Sequence, residues 1–297
     1  MKTKLARYYN RILNWSINLI LLAGGLVVLW LFVQVFVITS FRVPTDSMEP
    51  ELMAGDVILV NKLAYGARIF NVKKALDGQP VEITRLPGIG AIERNDVVAF
   101  HNPCPKKWRH LEMDMMAYYV KRCVALPGDV FHIVDGVYKV SGVQGDLGNI
   151  EAQHRFFRWA ERGNIPEDSV GIRAYPDSQI GWTVFRMGPF YIPKAGDTIP
   201  MNNRTLRLYR HVIEWEQQVK MSYKDGCVRL KDKVITGYRF KKSYYFMAGD
   251  KVENSRDSRY WGLLPEEYIV GKVWRIGKSV NKNTGKIRWN RVLKQVK

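Results

Sequence analysis

The sequence predicts a mainly β protein that begins with a single transmembrane helix and carries an inserted mixed α/β subdomain. Three observations favour this fold class. One long uncharged apolar run lies near the N-terminus, short segments rich in β-branched and aromatic residues follow it, and a helical pattern stands in a long middle section. With 297 residues and 46% apolar content, the chain can build one large or two modest packed domains.

The membrane helix is predicted over residues 15–38. No charged side chain occurs between Ile12 and Phe41, and about 20 apolar residues suffice to cross roughly 30 Å of hydrocarbon. Four basic residues and no acidic one precede the run, at Lys2, Lys4, Arg7 and Arg11. They predict that the basic N-terminus, 1–14, stays in the cytoplasm while the remainder is exported. A cleaved signal peptide is disfavoured, because the apolar core is too long and no small-x-small site follows it.

The exported part is predicted to be largely β. The segments 56–65, 96–102, 118–126 and 130–140 are rich in β-branched and aromatic residues and are bounded by turn signals. Within the last segment, Asp135-Gly136 predicts a tight hairpin turn. We expect one β domain to combine residues 39–140 with residues 236–280.

Residues 141–235 are predicted to form an inserted subdomain. Its helical pattern spans 205–219, where Leu206, Tyr209 and Ile213 recur on one face. The tail, 281–297, is basic and contains no acidic residue. Contact with anionic lipid and simple solvation are both open interpretations of this tail.

The net charge of +18 suits nucleic acid, an anionic membrane surface or an acidic partner. Since no RNP-type segment, zinc-finger spacing or recognition-helix pattern occurs, nucleic acid is disfavoured and contact with anionic headgroups is favoured.

The three cysteines, Cys104, Cys123 and Cys227, lack the spacing of a zinc site or a disulfide framework, although one bridge can form. No metal and no cofactor is expected.

The sequence excludes several common chemistries. It contains no GxSxG, HExxH, SxxK or P-loop pattern, and its five histidines stand in no distinctive setting. A lysine is a different candidate for a base. Lys121 lies in an apolar strand, and burial can lower the pKa of a lysine enough for it to deprotonate a serine hydroxyl. By local pattern alone, however, Lys121 is more simply a charge on an edge strand.

Four segments, together with the N-terminal anchor, resemble the conserved boxes of bacterial type I signal peptidases, the membrane-bound serine-lysine leader peptidases. They are PTDSMEPEL, ERNDVVAF, YYVKRCVALPGD and YYFMAGDKVENSRDSRYWG, in the order that the family shows. The resemblance covers less than half of the chain. It implies a signal-peptidase-like all-β catalytic domain on the exported, periplasmic side of the inner (plasma) membrane. It also implies cleavage of the signal peptides of exported preproteins after small residues.

The resemblance implies a role for each matching residue. Ser47 is the expected nucleophile and Lys121 its general base. The Ser47 N–H and the Thr45 hydroxyl are the expected oxyanion donors. Ser255 is expected to hydrogen-bond the lysine amine and orient it.

Asp257 and Arg259 match a charge pair that braces the wall of the site. Apolar residues at matching positions are expected to line the substrate pocket, although core packing explains each of them equally well: Val43, Pro44, Met48, Leu52, Tyr119 and Val120.

The chain departs from the family pattern around the nucleophile, where Asp46, Glu49 and Glu51 make the motif unusually acidic. An acid beside the lysine base would raise the lysine pKa, so we expect Asp46 to point to solvent.

Two other functions are compatible with parts of the sequence: a self-cleaving serine-lysine regulator, and a catalytically silent, membrane-anchored envelope binding protein. The anchor and the absence of a DNA-binding module disfavour the first. The joint presence of all the site residues disfavours the second.

Overall fold

The N-terminal helix runs directly into the first strand of the main sheet. The computed structural model describes residues 2–77, 79, 81–104 and 110–297, and their side chains except those of residues 2–9 and 76. Among these residues, one helical span, Asn10–Val37, is apolar and long enough to cross a membrane, with a mean hydropathy of 2.6 and none of it buried. It includes nearly all of the predicted 15–38. The side chains of Lys2, Lys4 and Arg7, on which the predicted orientation depends, lie outside the described residues.

The described helices are few. They are α1 (Lys2–Phe32), α2 (Val72–Leu76), α3 (Ile150–Glu161), α4 (Asn203–Gln217) and α5 (Ser258–Trp261), with a π-helical turn at Val33–Val37 and 3-10 turns at Val252–Asn254, Glu266–Tyr268 and Trp289–Arg291.

Strands dominate the remainder, which confirms the mainly β prediction. They are β1 (Ile38–Arg42), β2 (Asp56–Asn61), β3 (Arg68–Ile69), β4 (Thr84–Arg85), β5 (Val97–Asn102), β6 (Asp114–Ala125), β7 (Val130–Val134), β8 (Val137–Val140), β9 (Arg186–Tyr191), β10 (Thr198–Pro200), β11 (Met221–Lys224), β12 (Cys227–Leu230), β13 (Lys233–Val234), β14 (Gly237–Arg239), β15 (Tyr244–Ala248), β16 (Leu264–Pro265) and β17 (Ile269–Ser279).

Seven strands form the main antiparallel sheet, in the order β1-β2-β17-β5-β6-β15-β16. Strand β2 alternates between buried and half-buried residues, which is the pattern of a strand with one face in the core. Strand β15 pairs with β6 from Arg122 onward, so the edge of β6 before Arg122 is left without this partner. This open edge lies next to the segment that follows β1.

A second sheet, β8-β7-β9, packs with α3 and α4 around an aromatic core that includes Phe131, Phe156 and Phe190. The β7–β8 hairpin turns at Asp135-Gly136, both with positive φ, as its sequence predicts. Because β7 also pairs with β9, this sheet continues across the predicted boundary at 140/141.

Sequence reasoning missed helix α3. Its signal was present, since Ala152 and Phe156 are four residues apart and both face the core. The Asn149 side chain caps the helix by accepting a hydrogen bond from Ala152 N–H at 3.2 Å. Helix α4 was predicted at 205–219 and lies at Asn203–Gln217.

A lysine ties the end of the membrane helix to the main sheet. The Lys62 amine donates to the carbonyls of Gln34 and Val35, at 2.8 and 3.1 Å, and its backbone N–H donates to Val37 O at 2.8 Å. The last carbonyls of a helix lack partners within the helix, so Lys62 supplies what this helix end needs. The end of the membrane helix is therefore joined to the end of β2.

The C-terminal segment also packs against the catalytic half of the molecule. Arg291 forms a buried ion pair with Asp56, at 2.6 Å, and donates to Glu51 O at 2.8 Å. The Lys282 amine donates to Pro44 O at 2.5 Å. Basic residues of the predicted tail thus hold both flanks of the loop that contains Ser47.

Replacing Arg291 with glutamine is expected to lower the free energy of unfolding by about 2 kcal/mol, because it leaves the buried Asp56 carboxylate without its closest cation. Arg288, 3.8 Å from the same carboxylate, limits the loss. The matched control is Lys294→Gln, which removes a half-exposed pair with Glu51 and should change stability by less than about 1 kcal/mol. Urea unfolding measures both, and equal effects would contradict a buried clamp at Asp56.

Candidate active site

Ser47 sits in a tight turn directly after β1. The turn is closed by backbone hydrogen bonds from Glu49 N–H to Asp46 O and from Leu52 N–H to Met48 O, each 2.8 Å long. Proline at 50 and the buried Met48 fix the segment against the sheet. The turn leaves Ser47 only 9% exposed, with its hydroxyl directed at strand β6.

Lys121 reaches the nucleophile from the open edge of β6. Its amine donates a hydrogen bond to Ser47 Oγ across 2.5 Å, although 74 residues separate the two in sequence. The side chain is 4% exposed, and among the described residues no carboxylate forms an ion pair with it. The structure therefore brings the predicted nucleophile and the predicted base together.

Burial lowers the pKa of Lys121 to about 8, because the ammonium form loses its hydration. The negative charge of Asp257 opposes this shift and the positive charge of Arg259 reinforces it, while Asp250 and Asp46 oppose it more weakly. At pH 7, roughly one molecule in ten then holds a neutral lysine, compared with about one in 2,500 for a lysine in water. The site can thus supply a base near neutral pH.

The segment 249–259 forms the opposite wall of the site. Lys251 N–H donates to Ser47 O at 3.1 Å, which joins this segment to the nucleophile turn. Gly249 is needed at the junction, since a Cβ atom there would lie 2.0 Å from Ser255 Oγ and 2.6 Å from Ser47 O. Any larger residue at 249 would push the two walls apart.

Asp257 and Arg259 form a fully buried bidentate ion pair, with N···O distances of 2.8 and 2.7 Å. Asp257 also accepts from Gly249 N–H at 2.9 Å, and Arg259 donates to Val252 O at 2.8 Å. Despite burial, the negative charge of Asp257 raises the pKa of Arg259 above its usual value. The pair holds the wall segment in one conformation.

Ser255 does not make the hydrogen bond that sequence reasoning expected. Its side chain is 1% exposed, and its hydroxyl has no partner among the described residues. It lies against Gly249, on the inner side of the wall that contacts Ser47. A buried hydroxyl without a partner is unfavourable, which is often a mark of a functional position.

A cavity of about 400 Å³ opens beside Ser47 and Lys121. Five of the six predicted pocket residues line it: Val43, Pro44, Met48, Tyr119 and Val120. Leu52 does not, because its side chain is fully buried in a core cluster with Ile58 and Val60. For Leu52 the core-packing interpretation was therefore the correct one.

Two of the unexplained acids have partners. Asp46 lines the cavity but forms an ion pair with Lys251, which differs from the expectation that it points freely to solvent. The Lys251 hydrogen bond helps to hold the pKa of Asp46 below its usual value even though burial raises it. Glu51 accepts from Lys297 N–H at 3.0 Å and lies 3.4 Å from the Lys294 amine. The hydrogen bond to Asp46 raises the pKa of Lys251, and the negative charge of Glu49 contributes to this rise more weakly.

Sequence reasoning missed other residues of the site. Arg122 forms a bidentate pair with Asp250, at 2.8 and 2.6 Å, and so locks β6 to the wall segment next to Lys121. Both residues belong to the segments that resemble the family, Arg122 to YYVKRCVALPGD and Asp250 to YYFMAGDKVENSRDSRYWG, and their opposite charges could have suggested this pair. The cavity is also lined by residues that no local pattern marked: Phe41, Arg42, Tyr118, Asn254 and Arg256.

Known proteins resemble this chain over most of its length. The sequence model of the family "Signal peptidase, peptidase S26" matches residues 16–170 and 192–276. The chain is similar to proteins named signal peptidase I from Buchnera aphidicola (subspecies Acyrthosiphon pisum), with 27% identity over 88% of this chain and 78% of the relative, and from Pseudomonas aeruginosa, with 28% over 84% and 68%. The Helicobacter pylori J99 protein of that name is 25% identical over 92% and 90%.

The family match extends over both walls of the cavity and most of the apolar helix, which fits a membrane anchor. The resemblance inferred from four short segments is thereby confirmed over more than half of the sequence. The chain belongs to the signal peptidase family, peptidase S26, and is a hydrolase of the serine protease class.

Proposed function

We propose that this protein is a membrane-bound endopeptidase that uses a Ser47–Lys121 dyad to remove the signal peptides of exported preproteins. The single observation that carries the proposal is the 2.5 Å contact between the Lys121 amine and Ser47 Oγ. It lies in an enclosed setting where burial lowers the pKa of the lysine to about 8. A lysine placed in this way can take a proton from serine without a histidine.

The first chemical step is acylation of Ser47. Neutral Lys121 takes the hydroxyl proton as Ser47 Oγ attacks the carbonyl carbon of the scissile bond. The tetrahedral intermediate collapses when the Lys121 ammonium gives that proton to the leaving amine, and an ester to Ser47 remains. In the second step Lys121 takes a proton from water as the water oxygen attacks the ester carbonyl. The ester bond to Ser47 Oγ then breaks, the signal peptide leaves with a new C-terminal carboxylate, and the Lys121 ammonium returns the proton to Ser47 Oγ.

The oxyanion needs hydrogen-bond donors beside Ser47. Two groups meet this need: the Ser47 N–H, which has no acceptor among the described residues, and the Thr45 hydroxyl, whose oxygen lies 3.4 Å from Ser47 Oγ. One such donor is typically worth about 3 to 4 kcal/mol of transition-state stabilisation. Thr45 is exposed on the cavity side, so its hydroxyl can rotate toward a bound carbonyl.

Ser255 is proposed to position the lysine. Its unpartnered hydroxyl lies on the inner side of the wall next to Gly249 and Ser47. In the complex with substrate, Ser255 Oγ can accept a hydrogen bond from the Lys121 amine and keep this amine directed at Ser47 Oγ. The Ser255–Lys121 hydrogen bond is thus proposed to form in the complex of enzyme and substrate.

The substrate is proposed to be an extended peptide that ends in small residues. The lining of the cavity is largely apolar near Ser47, through Val43, Pro44, Met48 and Val120. Ser47 follows the end of the apolar span by ten residues, and that end is tied to the sheet by Lys62. A signal peptide is itself a short apolar helix with small residues before its cleavage site, so enzyme and scissile bond share the interfacial layer.

The proposed orientation follows from charge. Basic residues before the helix are proposed to keep the N-terminus in the cytoplasm, with the seven-stranded sheet on the exported side of the inner membrane. The net charge of +18 is proposed to draw the exported part toward anionic headgroups, at about 1 kcal/mol per basic group near the surface. Nucleic acid is not a proposed partner.

The test is cleavage of a purified preprotein by the full chain reconstituted in lipid vesicles. We expect a single cut after a small residue at the end of the signal peptide, located by mass spectrometry of the product, and no detectable cut by Ser47→Ala. Robust processing by Ser47→Ala would refute the dyad. Cleavage of the enzyme alone, with the preprotein left intact, would favour the self-cleaving regulator. If neither the preprotein nor the enzyme is cleaved, the silent binding protein is favoured.

A further inference from the structure

The cavity beside the dyad carries more positive charge than peptide hydrolysis requires. Besides Lys121, two arginines line it, Arg42 at the end of β1 and Arg256 on the wall segment. Both side chains are exposed, and neither forms an ion pair or a side-chain hydrogen bond with the described residues. The one acid that lines the cavity, Asp46, is already paired with Lys251. The cavity therefore presents two guanidinium groups whose carboxylate partner is missing.

The backbone explains why Arg256 faces the cavity. Ser255 and Asp257, on either side of it, have extended φ and ψ angles and are buried, at 1% and 0% exposure. Successive side chains of an extended segment point to opposite sides. The buried Asp257–Arg259 pair holds this segment in place, so Arg256 is held outward, where it lines the cavity.

The surroundings of Arg256 favour recognition of a carboxylate. Tyr119 lies close enough for the arginine charge to offset part of the burial that raises the pKa of its phenol. Asn254, two residues earlier, lines the same cavity and donates its amide to Asp168 at 3.2 Å. A planar guanidinium binds a carboxylate through two parallel hydrogen bonds, and a partly enclosed cavity strengthens them.

We propose that Arg256 is a specificity-determining residue that selects substrates with an acidic side chain close to the scissile bond and disfavours those with a lysine or arginine there. This inference rests on the proposed endopeptidase function and names its substrate class. Arg256 and Ser47 line one cavity, so the recognised side chain belongs to a residue within a few positions of the bond that is cut. Arg42, at the end of β1, lines the same cavity and adds to its positive potential.

The test is a set of peptides that share one cleavage sequence and carry alanine, aspartate or lysine at each position from three residues before the scissile bond to two after it. We expect the full chain in detergent to cleave the aspartate peptide about tenfold more efficiently than the lysine peptide, by kcat/KM, at one of these positions. Arg256→Ala should reduce this ratio to near one, and Arg256→Glu should invert it. The wild-type ratio should fall with added salt.

Arg239→Glu is the matched control, because Arg239 is exposed on β14 and does not line the cavity. It makes the same charge change and should keep the wild-type ratio. An unchanged ratio in Arg256→Glu would overturn the proposal, as would loss of the preference in Arg42→Ala but not in Arg256→Ala. Equal cleavage of all peptides by the wild type would overturn this inference and leave the endopeptidase function standing, whereas no cleavage of any peptide would overturn both.

Discussion

Replacing Lys121 with methionine is expected to reduce peptide cleavage by about 10²–10⁴-fold and, at neutral pH, to make the folded protein more stable. The loss of activity follows from the position of the amine, 2.5 Å from Ser47 Oγ, where no other described base takes its place. Methionine has a similar length and no charge, so it fills the same buried space. The two effects therefore go in opposite directions in a single variant.

The gain in stability follows from the shift in the lysine pKa. A lysine with a pKa of about 8 in the folded state and 10.5 in the unfolded state binds more protons when the chain is unfolded. Below pH 8 this difference destabilises the fold by roughly 3 kcal/mol at most, at 1.36 kcal/mol per pKa unit. The penalty fades as the pH rises from 8 to 10.5, so the stability difference between Lys121→Met and wild type should shrink over this window.

Two measurements check this prediction. The kcat/KM of the wild type should rise tenfold per pH unit below about 8 and become level above it, since only neutral Lys121 acts as the base. Urea unfolding at pH 7 and pH 10.5 should give the stability difference. Lys139→Met, on the exposed face of β8, is the control and should change neither quantity. A pH–rate profile that is flat from pH 6 to 10 would exclude Lys121 as the titrating base.

The parts of the fold that could be predicted from sequence are those with local causes. An uncharged apolar run specifies the membrane helix, and Asp135-Gly136 specifies a hairpin because both residues adopt positive φ. Helix α3 was equally local and was missed, because its apolar positions are interrupted by charged and polar residues. The 140/141 boundary was placed by composition, whereas pairing between β7 and β9, about 55 residues apart, decides which sheet the hairpin joins.

The active site likewise combines residues that the sequence identifies with contacts that only the fold creates. Resemblance identified Ser47 and Lys121, but their contact depends on how β6 packs against the turn after β1, which no local pattern encodes. No local pattern marks Arg256, and only the buried neighbours on both sides show which way it faces. For the basic tail the sequence left lipid contact and solvation open, because its acidic partners, Asp56 and Glu51, lie some 235 to 246 residues earlier.

Replacing Asp257 with asparagine is expected to lower the free energy of unfolding by about 3 to 5 kcal/mol, the second of the two largest effects. Asparagine has nearly the same shape, so the change removes a charge and leaves the packing in place. The Arg259 guanidinium is 0% exposed and would remain charged in a site without a counter-ion. Its remaining hydrogen bonds, to Val252 O and Ser255 O, are too few to replace the bidentate pair.

The control and the double variant make this prediction specific. Asp135→Asn makes the same change in an exposed pair with Arg186 and should cost less than about 1 kcal/mol. If the cost of Asp257→Asn comes from an unpaired buried charge, adding Arg259→Met should recover part of it, since the charge is then gone. A double variant whose loss of unfolding free energy equals the sum of the losses of the two single variants would show instead that each side chain stabilises the fold separately.

We also expect cleavage activity to follow the unfolding free energy in this series. The reason is that the pair holds the wall segment through Gly249 N–H, and that segment holds Ser47 through Lys251 N–H.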